Sequence, residues 1–166
     1  MTKWKTEHTF HHSWETLAQA VWKKYPNPFN TKVIGIDIVD RKVENGILHS
    51  SRLFINNWGL QYWVQKLIGN DYLSHGYEVS EVDPSGRIMT VKTKNITFSN
   101  TVQIYERLIY QQHPENKDHT LLIQETDVAV IGLPFKSNLE NYLQNSMISN
   151  SLKGRKALEW IISGFK

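Results

Sequence analysis

The chain has 166 residues, a net charge of +3 and no cysteine. That length suits one domain, here 1–166, burying roughly two thirds of the surface its unfolded chain would expose. Without cysteine there is no disulfide framework, thiolate nucleophile or zinc–thiolate site. Its 19 basic residues are scattered rather than blocked, which argues against a nucleic-acid tail while permitting attraction to phosphates or an anionic membrane surface.

The opening MTKWKTEHTF lacks the apolar centre of a secretory signal, and no run approaches ~18 apolar residues, so the sequence predicts a soluble protein. Residues 3–10 read as a short strand. Ser13 then caps a helix whose apolar residues Trp14, Leu17, Ala18, Val21, Trp22 and Tyr25 follow helical spacing, and Tyr25-Pro26-Asn27-Pro28 ends it.

From Val33 the period changes to that of strands. VIGIDIV and ILHSSRLFI flank Asn45-Gly46, a dipeptide suited to a tight hairpin, and further strands are predicted near 74–82, 87–98, 100–111 and 120–131. Asp83-Pro84-Ser85-Gly86 makes one turn and His113-Pro114 opens a looser one. The pattern is an antiparallel meander.

Between the third and fourth strands, NWGLQYWVQKLIGN (57–70) is apolar on nearly every side. It reads either as a small helix packed on the sheet or as a movable, membrane-touching lid, with Trp58, Leu60, Trp63 and Leu67 as its apolar contacts.

The last segment begins with a possible capping box, Ser137-Asn138-Leu139-Glu140, and predicts a helix of about 26 residues, ~39 Å long. Winding it places Leu139, Leu143, Met147, Ala157 and Ile161 on one stripe. Ser146, Asn150, Lys153 and Gly154 fall on that stripe or its edge, while Asn141, Asn145, Arg155 and Glu159 fall on the opposite, solvated side. A lysine facing a sheet either bends out to water or meets an anion. A cavity beneath this helix, apolar along most of its length and polar at one end, would suit an amphiphile.

Other chemistry is thin. His8, His11 and His12 are close in sequence, but strand alternation sends His8 and His11 to opposite faces and no carboxylate completes a ligand set, so no metal site is expected. No nucleophile elbow, phosphate loop or dinucleotide fingerprint occurs. Glu106 and Glu125 lie in strands and could pair as acid and base, or meet cross-strand cations such as Arg107.

These pieces together resemble the PRELI family of mitochondrial intermembrane-space lipid transfer proteins, the slowmo branch more than others. The matching pieces are EHTFHHSWET, KYPNP, RL before the lid, LIG at its end, VDP, LIYQQHP, the QE strand and ISNSLKGRKALEWII, spread over nearly the whole chain. The resemblance implies an α+β fold: a curved seven-stranded antiparallel sheet gripped by helices, START-like, around a lipid tunnel with a lid loop. It implies a small twin-cysteine-motif helical hairpin protein as partner, transient membrane contact, no cofactor, no enzymatic activity and location in the intermembrane space. It also implies a headgroup site at Lys24, Asn150 and Lys153, with Asn56 and Ser146 standing where phosphatidic-acid carriers have lysines. Fewer charges favour phosphatidylserine. The alternatives are a phosphatidic acid carrier for cardiolipin synthesis, a lipid-modifying enzyme, and a regulatory protein that only binds its partner.

Overall fold

The computed structural model describes residues 1–69 and 73–165. In chain order the elements are β1 (Thr2–Phe10), α1 (Trp14–Trp22), β2 (Val33–Glu44), β3 (Ile47–Asn56), α2 (Tyr62–Ile68), β4 (Ser74–Asp83), β5 (Ile88–Asn95), β6 (Val102–His113), β7 (Asn116–Val130) and α3 (Lys136–Ser163). The strands form one seven-stranded sheet in the order β1-β7-β6-β5-β4-β3-β2, antiparallel at every junction. Each expected strand is present. β2 runs on to Glu44 because Asn45 and Gly46, at φ of 54° and 78°, make a two-residue turn that pairs Glu44 with Ile47.

Period-2 alternation decides what faces inward. On β7 the even residues Thr120 to Val130 are buried, and on β4 Ser74, Gly76, Glu78, Ser80 and Val82 are. The helices cover this face in two apolar clusters. α1 and the C-terminal part of α3 pack Phe10, Trp14, Leu17, Val21, Met89, Leu158 and Ile161 together. The N-terminal part of α3 packs Leu139 and Leu143 on Val64, Val102, Val128 and Val130. Each fully buried side chain of this size contributes about 1.5–3 kcal/mol, so α3 is anchored at both ends. Its middle, from Met147 to Gly154, belongs to neither cluster.

Two helix starts differ in outcome. Ser13 caps α1 as expected, its Oγ accepting from the Thr16 amide at 3.3 Å. The Ser137–Glu140 box does not form: α3 starts after Phe135, a left-handed residue at φ 57° that makes no side-chain cap bond. Glu140 is only 5% exposed and faces the sheet, where it accepts from the Val130 amide and the Thr2 hydroxyl, each at 3.1 Å. These strand-end donors would otherwise be orphaned, so they take the carboxylate from the helix start.

The lid segment is part loop and part helix. Only Tyr62–Ile68 is helical, and Asn70 lies outside the described residues. Val64 is fully buried, Leu60 and Leu67 are half-buried, the Trp58 ring lies 6.1 Å from Phe98, and the Trp63 ring lies 5.5 Å from Tyr142. The segment therefore packs against the sheet and α3, yet leaves Tyr62 71% and Trp63 39% exposed. Among the described residues no helix is long and apolar enough to cross a membrane.

Candidate functional site

Where α3 lifts off the sheet, a cavity of about 240 Å³ remains. Its apolar walls come from Phe29 of the loop after α1, Val33 at the start of β2, Trp58, the inward residues Ile104, Leu108 and Leu122 of β6 and β7, and Met147 and Leu158 of α3. Asn56 of β3, and Asn150, Ser151, Lys153 and Gly154 of α3, line it too. The polar interruption of the α3 stripe is thus the roof of a cavity.

Lys24 is held there by its own loop. The buried Asn27 side chain donates to the Lys24 carbonyl at 2.8 Å and accepts from the Phe29 and Asn30 amides at 2.9 and 2.8 Å. This fixes the backbone on both sides of the proline turn. The Lys24 ammonium rests against α3 at Gly154, where a Cβ would stand 2.9 Å from Nζ, so glycine makes the approach possible. What surface Lys24 retains opens on the cavity. Burial, the largest single influence, acts to lower its pKa, but Tyr25, Tyr110 and Glu106 outweigh it and the net shift is upward. Burial likewise pushes the Tyr110 phenol up to about 12, and with its own pKa raised Lys24 is a full cation at neutral pH.

Four further cations line the same space: Lys32, Lys94, Lys153 and Arg155. Among the described residues none of the five makes an ion pair. Lys153 is exposed at the rim, and Lys32, half-buried beside it, has its pKa lowered by burial and then by repulsion from Lys153. Among the described residues Glu106 is the one acid in the lining, its carboxyl pushed up chiefly by burial. The cavity therefore combines apolar walls with a strong excess of positive charge.

Of the expected headgroup residues, Lys24, Asn56, Asn150 and Lys153 come together here. Ser146 does not: it is absent from the lining, and its hydroxyl donates to the Tyr142 carbonyl at 3.0 Å along the helix. Arg155 is a second correction. It is half-buried in the cavity wall rather than solvated, with Nε and Nη2 lacking hydrogen-bond partners and its pKa lowered by burial. The readable signal was its spacing, four residues after buried Ser151 and three before buried Leu158. Lys32 and Lys94, in a loop and at a strand end, carried no such signal.

The suggested acid–base pair is separated by the sheet. Glu106 faces inward, while Glu125 faces outward, opposite Arg107 in register and 3.7 Å from its guanidinium. The histidines disperse as well: His8 packs edge-on to Phe10, His11 lies 3.3 Å from His119, and His12 lies 2.8 Å from Glu159. Among the described residues no group of three or more metal-ligating side chains assembles.

Comparisons with known proteins agree with this architecture. The chain resembles the Zhui aromatase/cyclase of a Streptomyces (TM-score 0.65, 10% identity, covering 98% of this chain and 94% of that one). It also resembles a START superfamily protein of Mycobacterium smegmatis (TM-score 0.57, 18% identity, 97% of each). At such identities these likenesses establish a START-like helix-grip fold and nothing further. In sequence the chain is 32% identical to the slowmo homolog of Dictyostelium discoideum over 92% of this chain and 68% of that protein. It is 33% identical to a UPS-like protein of Schizosaccharomyces pombe over 93% and 85%, and 28% identical to the mitochondrial protein UPS2 of Saccharomyces cerevisiae over 99% and 74%. The profile of the PRELI-like family matches residues 15–166, and the chain belongs to that family.

Proposed function

We propose that this protein is a non-enzymatic carrier that extracts an anionic phospholipid from one mitochondrial membrane and delivers it to another across the intermembrane space. The observation that carries this reading is the cavity: among the described residues it holds five cations outside any ion pair and one buried acid, with walls otherwise largely apolar. A phosphate meeting even one of these ammoniums gains a charged hydrogen bond of about 1.5–3 kcal/mol. The family and the mitochondrial name of UPS2 support the setting.

Phosphatidylserine is the lipid we assign. Asn56 lines the cavity in place of a lysine, which lowers the charge available to a phosphomonoester, and the opposed Lys32 and Lys153 suit a headgroup with more than one anionic group. A cavity of about 240 Å³ is far smaller than a diacyl lipid. The acyl chains enter by displacing the 57–61 loop and α2, whose exposed Tyr62 and Trp63 meet the membrane interface. A small twin-cysteine helical hairpin protein is the partner we assign.

The test is transfer of labelled lipids between donor and acceptor vesicles by the protein co-expressed with that partner. Transfer of phosphatidylserine well above that of phosphatidylcholine is expected, with the lipid recovered unchanged. Conversion of the lipid to a product would instead establish an enzyme.

A further inference from the structure

A carboxylate in a phosphate-binding cavity repels its ligand, so Glu106 needs a separate explanation. It projects inward from β6 between Ile104 and Leu108, and all three line the cavity. Nε2 of Gln124, itself only 4% exposed, donates to Glu106 Oε2 at 3.1 Å. Oε1 has no hydrogen-bond partner among the described residues and is not sealed by protein, so it opens on the cavity.

The simplest role would be counterion to Lys24. The two groups do influence each other, but they do not close into an ion pair. Contrast Arg52 and Glu78 on β3 and β4 of the same sheet, where Nη2 and Oε1 meet at 2.7 Å. Glu106 is instead pinned by Gln124, with one oxygen left for something else.

We infer that Glu106 Oε1 receives the ammonium of an aminophospholipid headgroup and is the residue that separates such lipids from anionic lipids without an amine. This rests on the carrier reading above. A buried carboxylate loses its hydration, and a cationic donor repays that loss where a neutral hydroxyl does not. A serine headgroup completes the match, its phosphate and carboxylate facing the cavity cations while its ammonium faces Glu106. The upward shift of the Glu106 carboxyl fits a group that awaits a cation.

The experiment is competitive transfer from vesicles holding equal phosphatidylserine, phosphatidylethanolamine, phosphatidylglycerol and phosphatidic acid, with wild type, Glu106→Gln and Glu106→Asp, each with its partner and a thermal melt. Phosphatidylglycerol is the key control, because it matches the net charge of phosphatidylserine without the amine. Lifting the repulsion of Glu106 therefore raises both alike. Glu106→Gln should lower the phosphatidylserine to phosphatidylglycerol ratio by about tenfold or more, the effect of one charged hydrogen bond, and Glu106→Asp should restore part of it. An unchanged ratio would make Glu106 a counterion only and overturn the inference. A parallel fall of all four lipids in folded protein would assign it a structural role, and a fall of phosphatidylglycerol together with phosphatidylserine would assign it to hydroxyl recognition. If Glu106→Gln does not fold, loss of phosphatidylserine preference in Glu106→Asp equal to its loss of total transfer would refute it equally. Wild type that takes up none of the four lipids would overturn the carrier reading itself.

Discussion

A methyl group on Gly154 would sit 2.9 Å from Nζ of Lys24 and 3.6 Å from its Cε, with no other atom of the described residues outside the local helix within 4 Å. In Gly154→Ala the ammonium must therefore retreat from 2.9 Å to beyond about 3.4 Å, the start of ordinary contact. The tip of a lysine moves cheaply, so the fold should absorb the change. Gly154 also lies within α3, where alanine is favoured over glycine by about 0.8–1 kcal/mol. In a protein of this size that raises the melting temperature by about 2–4 °C. Function should move the other way: an ammonium pushed off its site forfeits a charged hydrogen bond of about 1.5–3 kcal/mol, a fall of about tenfold or more in lipid transfer. Differential scanning fluorimetry and vesicle transfer on the same preparation read both quantities. A melting temperature that rises while transfer stays at the wild-type rate would refute the placement of Lys24 at the headgroup.

Lys153→Glu should abolish transfer with little change in the melt, because Lys153 is exposed at the cavity rim and a carboxylate there would repel a phosphate; normal transfer would mean that Lys153 serves only solvation. Asn56→Lys should shift competitive transfer toward phosphatidic acid, whereas Ser146→Lys should leave the ratio at wild type, since only Asn56 lines the cavity; equal effects of the two would contradict the cavity's outline. Glu140→Ala should cost about 1–3 kcal/mol by orphaning the Val130 amide and Thr2 hydroxyl, read as a lower denaturation midpoint with unaltered slope.

The strands were legible because alternation and turn chemistry act locally: Asn45-Gly46 and the Asp83 turn set hairpins whatever packs on them. The sites of failure are those decided by distant partners. Glu140 looked like a helix cap until the ends of β1 and β7 supplied donors that its carboxylate accepts instead. Arg155 looked solvated because a straight wheel assigns faces by angle, while α3 leaves the sheet at its middle and its long side chains can reach the cavity wall. The split stripe of α3 did announce polar residues beneath a helix. Lys24 and Asn150 could be placed from resemblance, but the part played by Gly154 required the position of Lys24 in space. Glu106 was visible as a strand carboxylate, and only the register of β6 and β7 set it on the opposite face from Glu125.

The central claim is that the cavity beneath α3 holds an anionic phospholipid by its headgroup. Lipid extraction and mass spectrometry of the protein purified with its partner test it most directly, with Lys24→Glu purified in parallel. The account predicts a diacyl anionic phospholipid in near-stoichiometric amount with the wild type, phosphatidylserine foremost, and its loss from Lys24→Glu. A wild type free of phospholipid, or one carrying phosphatidylcholine at the same level in both proteins, would contradict it.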